Sequence, residues 1–253
     1  MDMPRNHFKA ALKAGERQIG LWTALRDSAG IEMLAACGYD WLLIDNEHAP
    51  ITAPETLSLM QAAAPYPVST VVRPGWNDQV EIKRLLDAGA QTILVPYVQT
   101  PEEAEAAVRA MHYPPRGVRG VAGATRASRY GAVTGYAQNA SDEICLLVQV
   151  ETADALERLE DIAAVDGVDG IFIGPSDLAA SMGHPGNVAH PEVKSAVVDA
   201  IARISKAGLP PGILSLDPGL LQDAADAGAK FIAMDVDMAM LRRAALDARK
   251  AWS

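Results

Sequence analysis

The chain has 253 residues, of which 49% are hydrophobic and 21% charged, with a formal net charge of -10. The length suits one (β/α)8 barrel, and the apolar share is enough for a large core. The acidic balance supplies no basic footprint for nucleic acid or for an anionic membrane, but it does not exclude a small anionic substrate, because a bound cation or one arginine reverses the sign of a pocket.

The stretch Met1-Asp2-Met3-Pro4-Arg5-Asn6 lacks the apolar core of a signal peptide. No segment approaches the roughly 18 consecutive apolar residues of a membrane span, so a soluble cytoplasmic protein is expected. Short β-rich apolar runs then alternate with Ala/Glu-rich helical stretches. Strands are predicted at residues 18–24, 41–45, 68–73, 92–97, 145–151, 170–173, 211–214 and 231–235. Helices are predicted at 28–37, 53–64, 78–88, 101–111, 152–163, 191–207, 218–227 and 238–251. Cys37 and Cys145, both in apolar surroundings, read as buried free thiols without a redox role.

Helix ends are legible. Thr100 before Pro101-Glu102-Glu103 supplies a cap, a proline at the first helical position and acids facing the positive helix end; Asp217-Pro218 repeats the arrangement. Gly38, Gly89, Gly208 and Gly228 stand just past helix ends, where a left-handed residue is wanted. Leu86-Asp87-Ala88-Gly89-Ala90 and Ala225-Asp226-Ala227-Gly228-Ala229 are near copies that each join a helix to a strand. Eight βα units in one domain spanning residues 1–253 predict a closed TIM barrel. The alternative, an open doubly wound sheet, usually carries a Gly-rich first turn. Here the first strand runs into Thr23-Ala24-Leu25-Arg26-Asp27-Ser28. One segment breaks the rhythm: residues 113–142 are rich in Gly and Arg, with Arg116, Arg119, Arg126 and Arg129. An ordered loop that meets an anion or a neighbouring subunit is expected, and a solvated excursion is the alternative.

Barrel chemistry gathers at the C-terminal ends of strands. Strand two ends Asp45-Asn46-Glu47-His48, where His48 suits a general base and a turn capped by Asp45 and Asn46 is the plainer reading. Strand three ends in Arg73, whose planar donors could meet a carboxylate or enolate oxygen, or form an ion pair between neighbouring strands. In strand five the period of two puts Leu147, Gln149 and Glu151 on the inner face and Val148 and Val150 towards the helices. A buried carboxylate needs compensation, either a bound cation or a salt bridge with Arg73. Strand six leads into Gly174-Pro175-Ser176-Asp177; Asp177 either joins Glu151 in holding a hard cation or caps the next helix. His112 reads as packing or surface, His184 and His190 as residues of the loop after strand six, with an approach of His184 to the site as the alternative, and Asp235 and Asp237 as caps. No lysine ends an inner strand, Lys83 and Lys230 being the nearest, so a metal route is preferred over a Schiff base.

Taken together these segments resemble the HpcH/HpaI family of class II pyruvate aldolases. The similarity rests on Asp45-Asn46-Glu47-His48, Val72-Arg73-Pro74, Ala88-Gly89-Ala90, Pro114-Pro115-Arg116-Gly117-Val118-Arg119-Gly120, Gln149-Val150-Glu151-Thr152 and Gly174-Pro175-Ser176-Asp177-Leu178. The resemblance implies that Glu151 and Asp177 bind a divalent cation (magnesium, manganese or cobalt), with Gln149 nearby. It implies that the backbone at Gly174, Pro175 and Ser176 holds the carboxylate of a 2-oxo acid, that Arg73 contacts its keto oxygen, and that His48 is the acid/base. Trp22, Leu214 and Asp45 would line the pocket or support it. Asp87 and Val121 would come from an adjacent subunit of a hexamer in which the C-terminal helix is exchanged. The partners implied are pyruvate and an aldehyde. Ala122-Gly123-Ala124-Thr125, followed by Arg126, sits where the family varies and bears on the aldehyde side. The competing readings are a citramalyl- or malyl-CoA-type lyase and a non-catalytic barrel that senses a 2-oxo acid.

Overall fold

Each short strand runs once from the bottom to the top of the barrel wall, and its alternation sorts side chains between two cores. The computed structural model describes residues 1–252. Its strands are β1 (Gln18–Thr23), β2 (Trp41–Asp45), β3 (Ser69–Arg73), β4 (Thr92–Val95), β5 (Cys145–Val150), β6 (Gly170–Ile173), β7 (Pro211–Leu214) and β8 (Phe231–Val236). All neighbours pair in parallel, and β8 closes back on β1, so the sheet is a closed eight-stranded barrel as expected. Around it run α1 (His7–Lys13), α2 (Ser28–Ala35), α3 (Ala53–Ala63), α4 (Gln79–Asp87), α5 (Pro101–Met111) and α6 (Tyr136–Glu143). These are followed by α7 (Ala153–Leu156), α8 (Leu159–Ala163), α9 (Pro175–Ser181), α10 (Pro191–Lys206), α11 (Pro218–Asp226) and α12 (Asp237–Lys250).

The outward residues Leu42, Ile44, Val72, Val148 and Val150 join the core between strands and helices. The inward residues Trp22, Trp41, Leu43, Val71, Leu147, Phe172 and Phe231 form the barrel interior. This is the alternation that period two requires. The floor is aromatic: Phe8, on α1, meets Trp41 and Phe231 edge-on with ring centroids 5.9 Å apart in each case. Gly20 and Gly212 make room for those rings, since a Cβ on either would fall 2.1 Å from Trp41 or Phe231 respectively.

The predicted caps form. Thr100 accepts from the Glu103 N–H and Asp217 from the Gly219 N–H. Gly38, Gly89, Gly208 and Gly228 all have positive φ. Three helices were not foreseen. α1 is too short to show a period, α6 rises inside the segment that reads as loop, and α9 starts directly after β6. The expected helix at 152–163 is divided at Arg158, where φ -110 and ψ 15 leave the helical region. Cys145 is buried, but Cys37 is exposed just past the end of α2, so the expectation of two buried thiols is corrected for Cys37. Asp237 is not a simple cap: it is buried and accepts the N–H groups of Ala24 at 3.0 Å and Leu25 at 3.0 Å, tying the start of α12 to the end of β1. Asp235 pairs with Arg243. Among the described residues no helix is long and apolar enough to cross a membrane.

Candidate active site

At the C-terminal ends of the strands lies a cavity of about 700 Å³. Trp22, Asp45, His48, Arg73, Gln149, Glu151, Gly174, Pro175, Ser176, Asp177 and Leu214 all line it. Residues from β1, β2, β3, β5, β6 and β7 thus converge as the strand-end rule anticipates.

Arg73 organises one side. Its Nε donates to Asp45 Oδ1 at 2.9 Å and its Nη2 to Asp45 Oδ2 at 2.6 Å, a fork across neighbouring strands that the register Asp45↔Arg73 provides. Its Nη1 lies 2.7 Å from Glu47 Oε2, in ion-pair contact but without hydrogen-bond geometry. The guanidinium sits 4.7 Å over the Trp22 ring, whose Nε1 donates to Asp45 Oδ2 at 3.1 Å. The ion-pair reading of Arg73 therefore holds, with Asp45 and Glu47 and not with Glu151. Asp45 also accepts the N–H groups of Glu47 at 3.0 Å and His48 at 3.3 Å, so it caps the turn that carries them. Burial works to raise the Asp45 carboxyl, but the bonds and charge of Arg73, with help from Trp22, hold it below its ordinary value.

Glu151 organises the other side. It is buried, one residue past the end of β5, and its partners are neutral: the Tyr97 N–H at 3.0 Å and Gln149 Nε2 at 2.5 Å. Tyr97 reaches it from a left-handed conformation with φ 54, an arrangement that non-glycine residues adopt rarely and that ends β4 short of the predicted 92–97. Burial raises the Glu151 carboxyl to about 7; the Gln149 bond opposes this, while the charges of Asp177 and Glu47 add to it. Glu47 is likewise raised, first by burial, with Arg73 and His48 opposing and Asp45 and Asp177 adding.

Asp177 is the third residue of α9 and does not cap it; Gly174 is the cap residue, and no side chain caps that helix. The Gly174 position admits no side chain, because a Cβ would stand 2.3 Å from Glu151 Oε2. The buried Gln149 Oε1 accepts no hydrogen bond. Glu151 and Asp177, with Glu47 and the Gln149 oxygen close by, form an oxygen-rich and anionic wall. The chemistry of that donor set fits a hard divalent cation.

His48 stands at the rim. Its side chain is 66% exposed and its Nε2 lies 3.8 Å from Glu47 Oε1. Asp87 and Val121 do not line the cavity. Asp87 ends α4 and pairs with Arg119 at 2.8 Å, while Val121 is 66% exposed on the long loop. That loop is ordered: Arg119 is buried against the Tyr113 ring, and Arg126 donates to the Ala88 carbonyl at 2.9 Å. Of the residues that sequence reasoning left without a role, Glu47 is the most prominent. Its signal was present in the acidic strand mouth, but nothing local said that it would turn to Arg73. The Tyr97 N–H and the wall from Gly186 to Ala189 left no sequence signal.

A model of the family described as HpcH/HpaI aldolase/citrate lyase matches residues 18–244. A hydroxypyruvate/pyruvate aldolase of Sagittula stellata is 62% identical over 253 residues, covering 100% of both chains. A 4-hydroxy-2-oxo-heptane-1,7-dioate aldolase of Escherichia coli is 54% identical over 241 residues, covering 95% of this chain and 92% of the relative. The crystal structure of an HpcH/HpaI aldolase/citrate lyase family protein from Burkholderia cenocepacia superposes with a TM-score of 0.94 at 39% identity, over 98% of this chain and 100% of the other. With its closed barrel, its strand-end cavity and this agreement along nearly its whole length, the chain belongs to the HpcH/HpaI aldolase/citrate lyase family.

Proposed function

We propose that the protein is a divalent-metal-dependent pyruvate aldolase that joins pyruvate to an aldehyde and cleaves the resulting 4-hydroxy-2-oxo acid. The observation that carries this reading is the buried Glu151, bonded only to neutral groups, sharing with Asp177 a cavity whose one arginine is already engaged, and raised further by the charges of Asp177 and Glu47. The relatives named as pyruvate and 4-hydroxy-2-oxo-heptane-1,7-dioate aldolases support it.

In this reading Glu151 and Asp177 hold magnesium or manganese, with Gln149 beside them. The cation, when bound, withdraws electron density from the carboxylate and keto oxygens of the 2-oxo acid. The first turn of α9, at Pro175-Ser176, receives the carboxylate end, and Trp22, Phe172 and Leu214 exclude water around the donor carbons. Cleavage breaks the C3–C4 bond. The electron pair moves to form the enolate of pyruvate, the C4 hydroxyl loses its proton to His48, and the aldehyde departs. Arg73 places positive charge beside the enolate oxygen, and its fork to Asp45 spares the site reorganisation as that charge develops. A proton then returns to C3.

The oligomer is part of the same reading. Asp87 and Val121 complete the site from an adjacent subunit of a hexamer, and α12 is exchanged between partners. In support, Asp237 is the one buried residue of α12, and Leu241 and Trp252 are 61% and 91% exposed.

The test is C–H exchange of pyruvate in deuterated water, followed by an aldol screen against a panel of aldehydes. Exchange that disappears with EDTA and returns with Mn²⁺ is expected. Full activity in chelator, together with borohydride trapping of a substrate adduct, points to a lysine enzyme and overturns the proposal.

A further inference from the structure

The loop between α9 and α10 carries groups that the aldol reaction does not use. It leaves α9 through Gly183 and turns again at Gly186, with φ of 84 and 73. Backbone bonds wind it. The His184 N–H donates to the Ala179 carbonyl at 2.7 Å, the Asn187 N–H to the His184 carbonyl at 3.0 Å and the His190 N–H to the Asn187 carbonyl at 3.1 Å. This winding stacks the His184 and His190 rings, with centroids 3.6 Å apart and planes at 16°. Glu192, in the first turn of α10, closes the group: its Oε2 lies 2.9 Å from His184 Nε2 and 3.9 Å from His190 Nδ1. One donor atom from each of the three residues lies within 4.8 Å of the others. The span between the two histidines, from Gly186 to Ala189, forms one wall of the cavity. The group therefore gathers both stems of that wall.

Two imidazole nitrogens and one carboxylate oxygen are the donors that zinc and late first-row cations favour, whereas magnesium keeps to oxygen. Zinc–ligand bonds of roughly 2.0–2.2 Å place donor atoms about 3.0–3.6 Å apart. His190 Nδ1 also accepts the Glu192 N–H at 3.3 Å as the cap of α10, so closing from the present spacing takes release of that bond, an opening of the ring stack and a movement on the order of 1 Å, which side chains 24%, 31% and 69% exposed can make. We propose that His184, His190 and Glu192 form a second cation site, selective for a zinc-like transition metal, whose occupation clamps the loop that walls the cavity. It is separate in donor chemistry from the oxygen-rich wall at Glu151 and Asp177.

Zinc titration by calorimetry on the Glu151→Gln/Asp177→Asn variant tests the proposal without any measurement of turnover, so it can fail independently of the aldolase reading. One zinc per chain is expected, and excess magnesium does not displace it. Adding His184→Phe weakens zinc binding at least about tenfold, a loss already typical of removing a mere outer partner of a metal ligand. Absence of zinc binding in the folded variant, or binding indifferent to His184→Phe, overturns the site. If the double variant does not fold, magnesium-saturated wild type titrated with Co²⁺ serves instead: visible bands of nitrogen ligation are expected and are lost in His184→Phe, and their absence or persistence is the negative result. Amide exchange across residues 184–190 should slow with zinc. Unchanged exchange with zinc bound removes the clamping role.

Discussion

Replacing Arg73 by alanine separates its structural work from its electrostatic work. The wild-type guanidinium forms a fork to Asp45 at 2.9 and 2.6 Å and contacts Glu47 at 2.7 Å, with the Arg73 and Asp45 side chains only 6% and 3% exposed. Removing one member of such a buried pair costs about 3–5 kcal/mol, because the remaining charge is stranded. Asp45 keeps the N–H groups of Trp22, Glu47 and His48, so the loss should fall at the lower end, about 3 kcal/mol. The bonds that hold the Asp45 carboxyl low are gone in the variant, so Asp45 titrates higher. Part of the stability loss therefore disappears as the pH falls and Asp45 takes up a proton. Arg73→Ala/Asp45→Asn should recover part of the stability, because the Asp45 charge is gone while Glu47 still lacks its partner, yet not activity. If Arg73 faces the enolate oxygen, turnover drops on the order of 10²–10³-fold in both variants while Mn²⁺ still binds. Urea denaturation, Mn²⁺ titration and pyruvate C–H exchange on the same samples check this. A variant that loses stability but exchanges within about tenfold of wild type confines Arg73 to structure and refutes the enolate role.

Gly174→Ala places a Cβ 2.3 Å from Glu151 Oε2, so Mn²⁺ affinity measured by electron paramagnetic resonance should fall at least about tenfold with the fold intact; unchanged affinity separates this glycine from the cation wall. Divalent cation binding near pH 7 should release protons, since Glu151 titrates at about 7 before binding and must ionise as a ligand; calorimetry in buffers of different ionisation enthalpy measures the count, and zero release contradicts the assignment. Gly20→Ala drives a Cβ to within 2.1 Å of the Trp41 ring and should destabilise by about 1–3 kcal/mol in urea. His112 is buried, and burial together with Arg116, Lys9 and Arg119 lowers its imidazole to about 4. The unfolded chain then binds the extra proton first, so this stability is whole above pH 6.5 and is lost as the pH falls towards 4, by up to about 3 kcal/mol. His112→Gln should flatten that part of the acid unfolding profile, and an unaltered profile assigns it to other groups.

The barrel was legible because its signals are local. An apolar run, a cap and a terminal glycine sit next to one another in the chain, and all eight predicted strands fall where β1 to β8 form. Helix α1 escaped because its partners, Trp41 and Phe231, are distant in sequence and its own seven residues are too few to show a period. Helix α6 escaped inside a Gly- and Arg-rich segment whose order comes from contacts such as Arg119 with Asp87.

The same division runs through the site. By itself the sequence determined that Asp45, His48, Arg73, Glu151 and Asp177 stand at strand mouths, since strand ends and strand faces follow from pattern alone. Tertiary structure decided how those charges are shared: Arg73 goes to Asp45 and Glu47, leaving Glu151 with only the Tyr97 and Gln149 donors. It also set the two histidines of the α9–α10 loop ring against ring. Which charge meets which depends on barrel closure and strand register, because these bring together groups that lie tens of residues apart, and no periodicity along the chain encodes that distance.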